Sequence, residues 1–278
     1  MDQESPKTIA HHAQAIRRWI IRMLLEAGSG HPGGALGLAD IFATLYFSIL
    51  KHRPTDPEWD GRDRVLLSNG HTNPALYATL ALAGYFPKDE LLTLRKIGSR
   101  LQGHPHRGAL PGIENTSGPL GQGLSQACGL AAGLRLQGKT NRVFCILSDG
   151  EHDEGQTWEA YLFGAKEKLA NLTVIVDRNN IQIDGRTEDV LPLDSLVEKI
   201  MAFGWHVLEI DGHNYDQILQ ALSILPTAEQ QLPTAIICRT TPGKGVSFME
   251  NNFEWHGKKI SEEDAKVALR ELGAEDDD

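Results

Sequence analysis

Residues 143–180 read VFCILSDGEHDEGQTWEAYLFGAKEKLANLTVIVDRNN. Val143 to Leu147 is a short unbroken apolar run, Leu172 to Val176 is apolar but for Thr173, and 158–169 between them carries its apolar residues at helical spacing. The stretch predicts a strand, a crossover helix and a second, parallel strand, and strands without polar alternation are covered on both faces. Outward from this unit, helices are expected over 9–27 (stopping at Gly28), 38–50, 74–83, 88–97 and 124–136, with a strand at 64–67. Residues 98–123 carry Gly and Pro throughout and predict an irregular loop, and loops of that length inside a compact domain are usually functional. Further on come a helix at 196–203, a strand at 205–210, a helix at 215–225, a strand at 234–238 and a last helix capped by Ser261 with Asp264 three residues on. The expected fold class is α/β, a parallel sheet with helices on both faces. With no repeat and no clear linker, 1–278 is expected to form one domain with a helical N-terminal region and an acidic tail, Glu275 to Asp278.

Composition narrows the function. Of 278 residues, 41% are hydrophobic and 23% charged, enough to bury a core and too apolar for disorder. Lys+Arg 27 against Asp+Glu 37 gives −10, so neither nucleic acid nor an anionic membrane is an expected partner. The three cysteines, Cys128, Cys145 and Cys238, are far apart and in apolar surroundings, which suits a reducing cytoplasm and no disulfide frame. No apolar run approaches the ~18 residues of a membrane span, and the N-terminus has no secretory pattern.

Two motif matches fail on context. Gly133 to Thr140 satisfies GxxxxGK[ST], but there a helix ends and a strand follows, the reverse of a phosphate-cradling loop. Gly28 to Gly33 satisfies GxGxxG but follows a helix where a strand is required.

The chemistry gathers at the ends of the two decisive strands. Ser148-Asp149-Gly150 follows the first and Asp177-Arg178-Asn179 the second, in the crevice where open α/β sheets bind ligands. Asp149 and Asn179 offer hard oxygens suited to Mg²⁺, and Gly150 allows a diphosphate to approach the backbone. The same residues also suit local roles, Asp149 as a helix cap and Asn179 in a turn. Of 11 histidines, His31, His71, His104, His106 and His256 stand in Gly- or Pro-flanked loops, expected to be exposed and to line a pocket with donors and acceptors. The His104-Pro105-His106 spacing is the best case for zinc, but position 108 is Gly and no HExxH occurs.

SGHPGG, RDRVLLSNGH, GHP, GPLGQG (118–123), SDGEHDEG (148–155), DRNNIQIDG (177–185) and EWHG occur in the order in which similar strings occur in the N-terminal half of transketolases. The chain resembles the separately encoded N-terminal subunit of a split transketolase over almost its whole length. The resemblance implies the diphosphate-binding domain of a thiamine-diphosphate fold and transfer of a two-carbon ketol unit between sugar phosphates, in carbohydrate metabolism of the pentose phosphate type. It implies Asp149, Asn179 and the Ile181 carbonyl as ligands of Mg²⁺, with Ca²⁺ or Mn²⁺ as substitutes. Gly150, Asn179, His71 and the turn Gly118-Pro119-Leu120 would contact thiamine diphosphate, and His256 would reach both cofactor and sugar. His31 and His104 would stand, with His256, as catalytic histidines at the reacting hydroxyl and carbonyl. Glu154 matches an acidic residue linking cofactors across a subunit interface, although it also suits the first turn of a helix.

Ser148 departs from the usual Gly of the motif, with weakened cofactor contact the expected worst outcome. The glutamate that activates the cofactor's aminopyrimidine belongs, by the same resemblance, to the other half. The chain is therefore expected to act only with a C-terminal partner carrying the pyrimidine-binding domain, as a two-plus-two heterotetramer. A related thiamine-diphosphate activity, 1-deoxyxylulose-phosphate synthesis or ketol transfer with an unusual sugar, is the alternative, and a noncatalytic cofactor-binding remnant a further one.

Overall fold

A computed structural model describes residues 4–224 and 231–274. Its centre is a five-stranded, all-parallel sheet: β1 (Arg64–Leu67), β2 (Val143–Ser148), β3 (Leu172–Arg178), β6 (His206–Asp211) and β7 (Thr234–Arg239), in the order β1-β2-β3-β7-β6. A two-stranded hairpin, β4 (Ile181–Gln182) with β5 (Gly185–Arg186), stands beside it. The decisive stretch folds as expected, with Ser148 level with Asp177 at the strand ends. Successive side chains on a strand point to opposite faces, and here both faces are dry. Phe144, Ile146, Ile175 and Ile236 enter one core; Cys145, Leu147, Val174, Val176 and Ile237 enter the other.

The first core is closed by α1 (Pro6–Ala27), α2 (Pro32–Gly37), α3 (Ala39–Thr44), α4 (Asn73–Leu82), α9 (Tyr215–Leu222) and α10 (Glu262–Glu271). The second is closed by α5 (Gly123–Leu136), α6 (Gly155–Lys166) and α8 (Leu196–Ala202), while α7 (Thr187–Val190) is a single turn after the hairpin. Ser5 caps α1, whose end is turned by Gly28 at φ 65. The expected Ser261–Asp264 capping box at α10 is present. The false GxxxxGK[ST] match spans the end of α5 and the turn into β2, with Gly138 at φ 68.

Several boundaries differ from expectation. The helix predicted over 38–50 is present as α3 running on into a π-helical turn, Leu45–Ile49, and α2 precedes it from Pro32. Pro32 starts α2 early, and Gly33 and Gly37 lie so close to the backbones of Trp255 and Thr241 that a Cβ would stand 3.0 Å from each carbonyl oxygen. Tertiary contact thus favours helix in a run whose propensity disfavours it. The helix predicted over 88–97 is only a 3₁₀ turn, Lys88–Thr93, because Arg95 takes φ 61 and donates its N–H to Leu101 O at 2.9 Å. β6, expected to be covered on both faces, is a half-exposed edge strand, since only β7 flanks it. Leu225 and the tail Glu275 to Asp278 lie outside the described residues.

Candidate functional site

Every parallel strand points its carboxyl end the same way, so the segments after β1, β2, β3 and β7 meet at one edge of the sheet. There they surround a cavity of about 300 Å³. His31, His71, His104 and His256 all line it. They come from the loop before α2, the turn after β1, the irregular stretch before α5 and the segment before α10. Gly118 and Leu120 supply one wall, Gly150, Asn179 and Ile181 another, and Ser148 faces in beside them. Asp149, Pro119 and Glu154 do not line it. Asp149 is fully buried behind the wall, and Glu154 is exposed at the start of α6, its Cβ the atom that a side chain on Gly121 (φ 77) would strike.

The histidines form a cluster around His31, with ring centroids 5.4 Å from His71, 6.2 Å from His104 and 5.6 Å from His256. His71 and His256 are 5.1 Å apart. Contrary to the expectation of exposed loops, His31, His71 and His256 are half-buried, and only His104 and His106 are exposed. Burial disfavours the imidazolium. It lowers His31 to about 4, with neighbouring His256, Arg95 and His104 adding to the effect, lowers His71 well below its ordinary value, and lowers His104 and His256 as well. At neutral pH all four are neutral rings, each with one donor and one acceptor nitrogen.

Asp149 and Asn179 sit at adjoining strand ends, with Asn180 N–H reaching Asp149, and both hold the local roles that the sequence left open. Asp149 Oδ1 accepts from Gly150 N–H at 2.8 Å, as the cap of a 3₁₀ turn. Its Oδ2 accepts from Asn180 N–H at 2.8 Å and from Arg178 at 3.1 Å. Asn180 reaches it from a left-handed φ of 60. Asn179 Oδ1 accepts from Ile181 N–H at 3.0 Å, and its amide donates to Asp177 at 2.8 Å, which fixes which end of the amide faces outward. Burial raises the Asp177 carboxyl to about 7 and raises that of Asp149 against the pull of Arg178.

Sequence reasoning missed Arg178. It is fully buried and pairs with Asp149, Glu188 and Asp194. The available signal was strand alternation, which turns Arg178 away from the face that Asp177 and Asn179 share. It also missed Gln182, which lines the cavity and donates to Asp153 at 2.8 Å.

The site fits a diphosphate cofactor with a divalent ion. The buried His31 Nδ1, both amide atoms of Asn69 and Ser117 Oγ have no hydrogen-bond partner among the described residues, an uncommon state for buried polar atoms, and all adjoin the loops of the cavity. Asp149 Oδ1 and Asn179 Oδ1 each accept one hydrogen bond and keep a second lone pair. Among the described residues no three His, Cys, Asp or Glu side chains could hold a metal ion by themselves. A cation here therefore rests on one carboxylate, neutral amide and carbonyl oxygens, and oxygens brought by a ligand, a set that suits Mg²⁺.

Residues 9–278 match the family described as transketolase, thiamine diphosphate binding domain. The 6-deoxy-6-sulfo-D-fructose transketolase subunit SqwG of Clostridium sp. (strain MSTE9) is 43% identical over 96% of this chain and 97% of its own length. An apulose-4-phosphate transketolase subunit of Phocaeicola vulgatus is 36% identical over 96% of this chain and 94% of its own. The crystal structure of transketolase from Campylobacter jejuni superposes with a TM-score of 0.90 at 35% identity, covering 97% of this chain and 43% of that one.

Proposed function

This chain belongs to the transketolase family through its thiamine diphosphate binding domain, and from that premise we propose that it is the cofactor-binding subunit of a two-chain transketolase. The reading rests above all on one observation: residues of seven separate sequence motifs converge on a single cavity at the carboxyl edge of the sheet. Two relatives matched along nearly their whole length are themselves named as subunits, which supports a partner chain. The partner carries the pyrimidine-binding domain, and the assembly is a two-plus-two heterotetramer of single-domain subunits of this kind. The free, buried cysteines suit a cytoplasmic setting. Among the described residues no helix is long and apolar enough to cross a membrane.

In this reading Asp149, Asn179 and the Ile181 carbonyl hold Mg²⁺, or Ca²⁺ or Mn²⁺ in its place. Gly150, His71 and the turn Gly118-Pro119-Leu120 hold the diphosphate, and Glu154 faces the partner. Thiamine diphosphate, when bound, supplies the electron sink that breaks and makes the carbon–carbon bond. A neutral ring nitrogen of His31 accepts the proton of a sugar hydroxyl, and His104 and His256 donate to sugar oxygens as charge develops on them. The burial that lowers His31 and His256 keeps these rings neutral at the pH where they must exchange protons.

The substrates are a ketose phosphate donor and an aldose phosphate acceptor. The printed names of the subunit-length relatives concern a sulfosugar and apulose 4-phosphate, which favours an unusual sugar as the second reading. The test mixes the chain and its partner with thiamine diphosphate and Mg²⁺ and assays ketol transfer over a panel of sugar phosphates that includes these. Transfer by the mixture and by neither chain alone is expected. Robust transfer by this chain alone refutes the two-chain reading, and transfer unaffected by removing the cofactor refutes the whole.

A further inference from the structure

Glu151 is fully buried and pairs with no cation among the described residues, yet its carboxyl group accepts from three neutral donors in three different segments. Oε1 accepts from Ser68 Oγ at 2.5 Å and from Gly121 N–H at 2.9 Å. Oε2 accepts from Ser148 N–H at 2.9 Å. Ser68 follows β1 and leads through Asn69 and Gly70 to His71. Gly121 closes the turn that begins Gly118-Pro119-Leu120, and Ser148 precedes Asp149 and Gly150. Ser68 Oγ in turn accepts from Gly123 N–H at 3.0 Å, tying the first turn of α5 to the same point. The residue's own backbone is held by Thr157, whose hydroxyl donates to Glu151 O at 2.7 Å.

We infer that Glu151 is a positioning residue that sets the spacing of the three diphosphate-side segments, a role that rests on the proposed cofactor site. Burial raises the Glu151 carboxyl, and three hydrogen bonds to its two oxygens tie three chain segments to one group. An apolar core residue of the same size offers nothing to Gly121 N–H or Ser148 N–H. Each buried amide then lacks an acceptor, and its segment moves to find one.

The experiment is Glu151→Gln in the assembled two-chain protein. Thiamine diphosphate with Mg²⁺ is titrated calorimetrically, and amide hydrogen exchange is followed residue by residue. The glutamine keeps shape but replaces one acceptor oxygen with a donor. The expected result is a rise in Kd of about tenfold or more, together with faster exchange at Gly121 and Ser148 while the β3 amides exchange as in the wild type. Ser68→Ala, which removes one donor to Glu151 and the acceptor of Gly123 N–H, is expected to raise Kd by a smaller factor, about threefold, and decides the matter if Glu151→Gln does not fold. Unchanged Kd in both variants, or exchange accelerated uniformly through the sheet, overturns the inference. Failure of the wild type to bind the cofactor instead overturns the functional reading on which it rests.

Discussion

Replacing Asp40 with Asn should cost this chain about 3 kcal/mol, and the structure shows why. Asp40 is buried on α3, 2.5 Å from Arg17 and 2.7 Å from His213 Nδ1, and it accepts from Tyr215 OH at 2.5 Å. These partners outweigh the desolvation that would raise its carboxyl and instead lower it from 3.8 to about 2. The drop corresponds to about 2 kcal/mol of native-state stabilisation. Breaking a buried ion pair by removing one partner costs about 3–5 kcal/mol, because Arg17 is left as a buried charge with no counter-charge. The sign of the pH effect follows from the lowered value. The stabilisation is complete above 3.8 and is lost as the pH falls toward about 2, so the deficit of Asp40→Asn is constant between about pH 5 and 8. Urea unfolding followed by tryptophan fluorescence measures it, and for a chain of this size the melting temperature falls by about 6–10 °C. The effect reaches the site, since His213 Nε2 accepts Thr241 N–H at 2.8 Å and Gly243 N–H donates to Gly33 O at 2.8 Å, two residues from His31. A loss below about 1 kcal/mol, or one that shrinks between about pH 8 and 5, refutes the reasoning, because a buried pair of this geometry cannot be so weak.

Two glycines of α5 should respond oppositely to alanine. Gly123→Ala places its Cβ 2.5 Å from Ser68 Oγ and 2.7 Å from Ser68 Cα, and the overpacking, about 1–3 kcal/mol, should exceed the helix-propensity gain. Gly129→Ala meets nothing within 4 Å and should stabilise by about 0.5–1 kcal/mol; equal changes in the two denaturation curves would disprove this account. The ring of His31 should titrate near 4 by proton NMR, and a midpoint near 6.5 would remove the basis for a neutral ring at the site. Because its folded value is lowered, His31 supports the fold fully above 6.5, and that support is lost as the pH falls from there toward 4.

The sequence by itself determined what depends on neighbours along the chain. Short, β-branched apolar runs at 143–147 and, but for Thr173, at 172–176, joined by a helix-length stretch, point to parallel strands covered on both faces. Ser261 with Asp264 dictates a helix start, and Gly138 sets the GxxxxGK[ST] match between a helix and a following strand, the reverse of a phosphate loop. The ordered strings from SGHPGG to EWHG were enough to place the family. Only the tertiary structure decided what depends on segments that meet in space. Periodicity reports that a side chain is buried and is silent on what it meets, so neither Arg178 against Asp149 nor Glu151 beneath three loops could be read from it. The loop histidines looked exposed because Gly and Pro flank them. Three are half-buried because four distant segments close over one strand edge, and desolvation, a property of that closure, makes them neutral.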